Sequence, residues 1–303
     1  MSRSDVLGVA AGLAAGALWG LVFVAPRMVG HFGMVDITAA RFIVFGAVAG
    51  VAVWWRPTAH RWPDARQACA VLALSGLGFT GYYLLLAFAI VDAGTEVPSL
   101  IIGTIPVWMM LLGRPAGLRM QALLPGLALT AAGLALMVWA AWPEGGIGGT
   151  GRAHFGWGLV LAVLAMASWT AFGLLNAAWL RRHPEVHAAD WTNWLGIATC
   201  LGAFLLWLAA GSDLATLRAQ PDGALFAVLA LAGGLGSSWL ATVLWSIASQ
   251  RLSASLCGQL IVSETLFALL YSFLWDGRWP HASELAAALL FVLGILASIK
   301  AHR

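Results

Sequence analysis

The chain has 303 residues, 61% of them hydrophobic and 10% charged, with a formal net charge of +3. Soluble domains carry about 25% charged residues, so this composition excludes a soluble globular protein and points to one whose partner is the lipid bilayer. The sixteen Lys and Arg residues lie singly or in pairs at the ends of apolar runs, which fits topogenic charges and gives no reason to expect nucleic acid.

Crossing hydrocarbon takes about 20 apolar residues in a helix. The sequence predicts ten such spans, at 6–29, 36–54, 68–91, 95–113, 120–142, 154–179, 189–209, 223–248, 253–275 and 282–299. Span 1 is too long for a signal peptide and is read as a retained helix. It carries Gly8, Gly12, Gly16 and Gly20 on one face. Lipid tails give helices no hydrophobic reason to associate, so small residues that let backbones approach mark a packing face. Span 2 holds Arg41 about one turn in, placed to bind a cargo carboxylate, to snorkel, or to pair with an acid such as Asp36. In span 3, Gly76-x-Gly78-x-x-Gly81 has the spelling of a dinucleotide loop but no strand before it, and is set aside. Tyr82 and Tyr83 follow it. Pro98 and Pro106 interrupt span 4, which predicts a kink beside the substrate path or one that only shapes the bundle.

Trp142-Pro143 closes span 5, and the glycine-rich stretch 144–151 is the one flexible linker. It divides the chain into residues 1–145 and 155–303, with 146–154 between them. In span 6, Trp169, Phe172 and Asn176 share a face. In span 9, Ser255, Gln259 and Ser263 form a polar stripe with Glu264 on its shoulder. Glu264 is the only acid placed deep in a span, and a carboxylate there faces a cavity or a partner. It is a candidate for a substrate ammonium or a proton, or a glutamic acid bonded between helices. Of the 17 tryptophans, Trp54, Trp55, Trp62, Trp142, Trp191, Trp275 and Trp279 sit near span ends as interface anchors. Trp19, Trp108, Trp169, Trp239 and Trp245 lie deeper. A cavity walled by such rings suits an apolar or flat cargo with one polar end.

The two halves repeat. Leu18-Trp19 matches Ser168-Trp169, Asp36-Ile37-Thr38 matches Asp190-Trp191-Thr192, and Val71–Leu74 recurs as Val228–Leu231. Gly133 and Gly294 sit alike in spans 5 and 10. The loop charges invert with the repeat. The loop after span 2 is basic, whereas the one after span 7 carries Asp213 and Asp222. Asp92 and Glu96 follow span 3, whereas Arg251 follows span 8. With both termini in the cytoplasm, Arg56, Arg66, Arg114, Arg119, Arg181, Arg182 and Lys300 all fall inside, and only Arg27, Arg152, Arg218 and Arg278 outside. The expected fold is therefore an all-α polytopic membrane protein, ten transmembrane helices in two inverted five-helix repeats around a central cavity. Cargo in such a build sits where the repeats meet.

No Gly-x-Ser-x-Gly, His-Glu-x-x-His or Walker loop is present, the histidines stand at or beyond span edges, and Cys69, Cys200 and Cys257 lack metal spacing. An enzyme, a metal site and a cofactor are not expected.

The pattern resembles the ten-helix, EamA-type branch of the drug/metabolite transporter superfamily. The resemblance is carried by Ala17-Leu18-Trp19-Gly20, Ala39-Ala40-Arg41-Phe42, Ile105-Pro106-Val107 and the run Ser263-Glu264-Thr265-Leu266-Phe267-Ala268-Leu269-Leu270, with Thr265 where the family has proline. The family's Gly-Glu helix endings are absent: Trp275-Asp276 stands near one, and Gly113-Arg114 lacks the acid. The resemblance implies a bacterial inner-membrane carrier of small metabolites. Phosphorylated cargo would want several basic residues in the cavity, and only Arg41 is offered. The aromatic interior is similar to that of YddG-type exporters of aromatic and other neutral amino acids. It implies a monomeric alternating-access carrier in which Trp19, Tyr82, Tyr83, Trp108 and Trp169 cradle the side chain while Glu264 and Gln259 address the amino group. An exporter of another small amphiphile and a lipid-handling protein are the competing expectations.

Overall fold

The computed structural model describes residues 3–23, 28–55, 63–93, 98, 101–141, 152–277 and 279–302. Among the described residues the chain is helical throughout, without strands. The helices are α1 (Arg3–Gly20), α2 (Met34–Trp55), α3 (Ala65–Ser75), α4 (Gly81–Ala93), α5 (Ile105–Leu112), α6 (Met120–Ala141), α7 (Arg152–Arg182), α8 (Ala188–Ala210), the short α9 (Leu214–Ala219), α10 (Gly223–Ala232), α11 (Ala241–Arg251), α12 (Ala254–Asp276) and α13 (Ala282–Ala301). Among the described residues, seven helical stretches are long and apolar enough to cross a membrane. The linker stretch 144–151, Trp62, Trp142, Arg56 and Glu96 lie outside the described residues.

Two of the rods are joined across wide turns. Gly76–Thr80 links α3 to α4, and Gly233–Leu240 links α10 to α11, each wound as a π-helix. In the first, the Gly81 N–H reaches back five residues to the Gly76 carbonyl, so a regular i→i+4 bond is lost. The glycine spelling set aside as a nucleotide motif is thus a backbone device inside a membrane rod.

Small residues set the packing. α1 lies along α12 and α11. A Cβ added to Gly12 would stand 2.7 Å from Leu260 Cδ1, and one on Gly20 would stand 2.9 Å from the Ala268 amide nitrogen. The four-residue glycine spacing is therefore an internal helix seam, as the sequence predicts. α2 packs on α8 where Gly46 meets Cys200, and Gly196 meets Phe45 and Ala49. α6 packs on α13 through Gly133 against Phe291 and Gly294 against Thr130. α4 lies on α7, and α5 on α12.

Tryptophan placement follows the sequence at most described span ends. Trp54, Trp55, Trp275 and Trp279 are exposed. Trp191 is the correction: it is fully buried, stacked 3.7 Å from Trp179, with its Nε1–H donated to Asn176 Oδ1 at 2.7 Å. The first turn of α8 lies against α7, so a ring at a span end meets protein and not lipid headgroups.

Candidate functional site

A cavity of about 1550 Å³ lies among α1, α2, α4, α5, α7, α11 and α12. Its deepest layer is a triangle of indoles. Trp19 stands 6.3 Å from Trp169 and 5.3 Å from Trp245, and Trp169 stands 6.2 Å from Trp245. Phe172 meets Trp169 edge to face at 5.9 Å, and Phe79 and Phe42 carry the aromatic wall onward. The lining runs from this layer to Met34, Phe226, Leu274 and Trp275 at one end of the bundle. It includes no residue from the other end. There Gly8 abuts Arg251 and Leu252, and Gly113 meets Ala254 and Ser255, whose amide donates to the Gly113 carbonyl at 3.2 Å. The cavity thus reaches one end, and glycine-mediated packing fills the other.

Few polar groups break the apolar wall. Arg41 projects from α2 with its guanidinium carbon 4.7 Å above the Phe42 ring, and its Nε is buried without a hydrogen-bond partner. Asp36 does not pair with it. Both Asp36 oxygens are taken by Ser212, from its amide at 2.9 Å and its hydroxyl at 2.7 Å. Glu264, on α12, lines the same cavity, within electrostatic reach of Arg41 and Tyr82. Among the described residues no hydrogen bond or ion pair engages its carboxylate. Tyr83 donates its hydroxyl to the Met34 carbonyl at 3.1 Å. Trp108 is 43% exposed, with its Nε1–H donated to Thr104 Oγ1 at 3.2 Å.

Seven of the eight expected cargo residues therefore share one cavity: Trp19, Arg41, Tyr82, Tyr83, Trp108, Trp169 and Glu264. Gln259 does not. It is fully buried, and it exchanges hydrogen bonds with Thr130 of α6 at 3.0 and 3.3 Å. Ser255 and Ser263 are buried too, with the Ser263 hydroxyl turned onto the Leu260 carbonyl at 2.7 Å. The polar stripe of α12 is a buried packing face, bonded at Gln259 and Ser263, and the cavity takes the neighbouring face that bears Ile261, Glu264, Thr265 and Ala268.

Two further lining residues are Thr242, which the sequence did not single out, and Trp245, which it placed among the deep rings without a cargo role. Both line the cavity, both are almost fully buried, and Thr242 Oγ1 and Trp245 Nε1 have no partner. Buried polar groups are normally paired, which sets these two apart from the other residues of the wall. Their three-residue spacing behind a glycine-rich turn is the signal that marks them. Among the described residues no cluster of His, Cys, Asp or Glu is built to hold a metal.

The sequence profile of the EamA-like transporter family matches the chain twice, at residues 6–139 and 156–299. The chain is 31% identical over 308 residues to the inner membrane protein YtfF of Escherichia coli (strain K12), covering 98% of this chain and 96% of that protein. A solved crystal structure superposes with a TM-score of 0.78 at 21% identity, over 98% of this chain and 97% of that one. At that identity the likeness speaks for the fold alone.

Proposed function

We propose a cargo and a cycle for this chain, which belongs to the EamA-like transporter family: it exports small neutral metabolites, above all aromatic and other neutral amino acids, across a bacterial inner membrane by alternating access. The observation that carries the reading is the indole-walled cavity with one acid and one base among its described lining residues. Flat apolar side chains fit between Trp19, Trp169 and Trp245, where ring contacts add to area burial. Glu264 addresses the ammonium. Arg41 addresses the carboxylate, with Thr242 and Trp245 as further donors. A zwitterion brings both charges, so a cavity with a single group of each sign matches it without a stranded ion. Tyr82, Tyr83 and Trp108 line the path toward the open end.

Ten helices in two inverted repeats, residues 1–145 and 155–303, give the cycle its form, with both termini cytoplasmic and one chain as the working unit. The double profile match supports this arrangement. So does the packing: exchanging first-half helices for their second-half counterparts maps α1 on α11 into α7 on α4, and leaves α2 on α8, α5 on α12 and α6 on α13 paired as they are. The two π turns fall at matching places. Rocking of one repeat against the other then closes the open end and parts the glycine-packed end.

The test is uptake into proteoliposomes. Purified protein is expected to move labelled tryptophan and leucine down a gradient, and Glu264→Gln is expected to slow that flux by roughly tenfold or more, the worth of one charge-assisted contact. Movement of neither amino acid would overturn the cargo assignment, and scrambling of a labelled lipid instead would place the protein among lipid handlers.

A further inference from the structure

The packed end of the bundle carries a second pocket, of about 430 Å³, whose polar wall is Arg114, Arg181, Arg251 and Ser253. The three arginines come from different elements. Arg114 follows α5, Arg181 sits in the last turn of α7, and Arg251 ends α11. Each donates one N–H to a backbone carbonyl: Arg114 to Leu118 at 2.8 Å, Arg181 to Leu252 at 3.2 Å and Arg251 to Ile247 at 3.3 Å. A guanidinium has five such donors, so most remain free. Among the described residues no acid lines the pocket. Ser253 Oγ accepts the Leu256 amide at 3.1 Å as the cap of α12 and keeps its own proton to donate. The wall also stands at the start of that 23-residue helix, where the helix dipole favours negative charge.

Single basic residues at a membrane surface are ordinary topology markers. Three around one pocket, each steadied by a backbone bond and with no carboxylate among the described residues that line it, repel one another. An anion would offset that repulsion. A planar carboxylate occupies one guanidinium fork, whereas three forks from three directions match a multiply charged oxyanion with several oxygens.

We propose that this pocket binds a phosphate group, carried by an anionic phospholipid headgroup or by a soluble phosphate. Its walls draw on α5, α7, α11 and α12, so an occupied pocket ties both halves of the chain together at the packed end. That consequence rests on the alternating-access reading; the binding does not.

The test melts the full-length protein in neutral detergent with short-chain phosphatidylglycerol, glycerol 3-phosphate or inorganic phosphate. Phosphatidylcholine and chloride at matched ionic strength serve as controls. A ligand that binds only the folded protein raises the melting midpoint in a saturable way. Saturable stabilisation is expected, with a half-saturating concentration raised by roughly tenfold or more in the triple variant Arg114→Gln, Arg181→Gln, Arg251→Gln. Arg218→Gln, on α9 and away from the pocket, is expected to respond as the unaltered chain does. Should the triple variant fail to purify, Arg251→Gln alone, at an exposed position, is expected to weaken binding several-fold. Stabilisation by the lipid alone assigns a headgroup, and equal stabilisation by the two soluble phosphates assigns a free anion. No saturable shift beyond the chloride control, or variants that respond as the unaltered chain does, overturns the proposal whatever the transport assays give.

Discussion

The two π turns occupy matching places in the two halves, yet they are used differently. At Gly76–Thr80, Gly78 presses against the Phe172 ring, and the Leu77 carbonyl accepts the Ser168 hydroxyl of α7 at 2.7 Å. At Gly233–Leu240, Gly234 lies against Val44 and the Arg41 carbonyl, and a Cβ added to Gly233 would stand 3.3 Å from Arg41 Cδ. There the serine is in the turn itself: Ser237 donates to the Leu18 carbonyl of α1 at 2.8 Å. Both turns thus sit on the first helix of a half, each joined to it by one serine hydroxyl donating to a backbone carbonyl, but the bond runs in opposite directions. The first turn seats an aromatic wall. The second seats the cavity's one arginine and delivers Thr242 and Trp245. The same backbone irregularity stands at both places, and its side chains do different work.

The comparison breaks most sharply at the glycines. Gly78→Ala drives a methyl group into the Phe172 ring, and overpacking of a filled core costs about 1–3 kcal/mol. Thermal melting in detergent is expected to show that loss, and a midpoint equal to that of the unaltered chain would mean the ring moves freely. Next come the serines. Ser168→Ala leaves the Leu77 carbonyl without its hydroxyl, at a cost of about 1 kcal/mol. Amide exchange is expected to quicken in α4 just beyond the turn, while Ser237→Ala is expected to loosen the end of α1 by a similar amount. If only one substitution has an effect, the two bonds are not equivalent supports. Gly236→Ala is the smallest. Nothing lies within 4 Å of its added Cβ, so stability is expected to stay level or rise by up to about 1 kcal/mol from the gain in helix propensity. A clear loss would show that the second turn needs its glycine for backbone freedom and not for space.

Much of this molecule is legible in its sequence. The apolar runs foretell most helix ends within a few residues, and the glycine spacing of α1 foretells its seam with α12. The rings and charges that line the cavity are mostly those that stand deep in spans. Gln259 and Trp191 show where that reading stops. Helical spacing placed Gln259 beside Glu264 on α12, but the two side chains point to different neighbours, one into α6 and one into the cavity. Trp191 stands at a span end yet is buried, because α8 starts against α7. Trp245 was legible as a deep ring, whereas only its place behind the glycine-rich turn marked Thr242.

The sequence by itself determined that the chain is built of membrane-crossing helices and where they begin and end, because hydrocarbon admits no unpaired backbone and demands long apolar runs. Only the tertiary structure decided which side of each helix meets lipid, a neighbour or the cavity. In a soluble helix, apolar and polar faces announce that choice. Here buried Leu260 and exposed Leu270 stand on one helix, and the same residue type serves both surroundings because lipid tails and protein core are equally apolar.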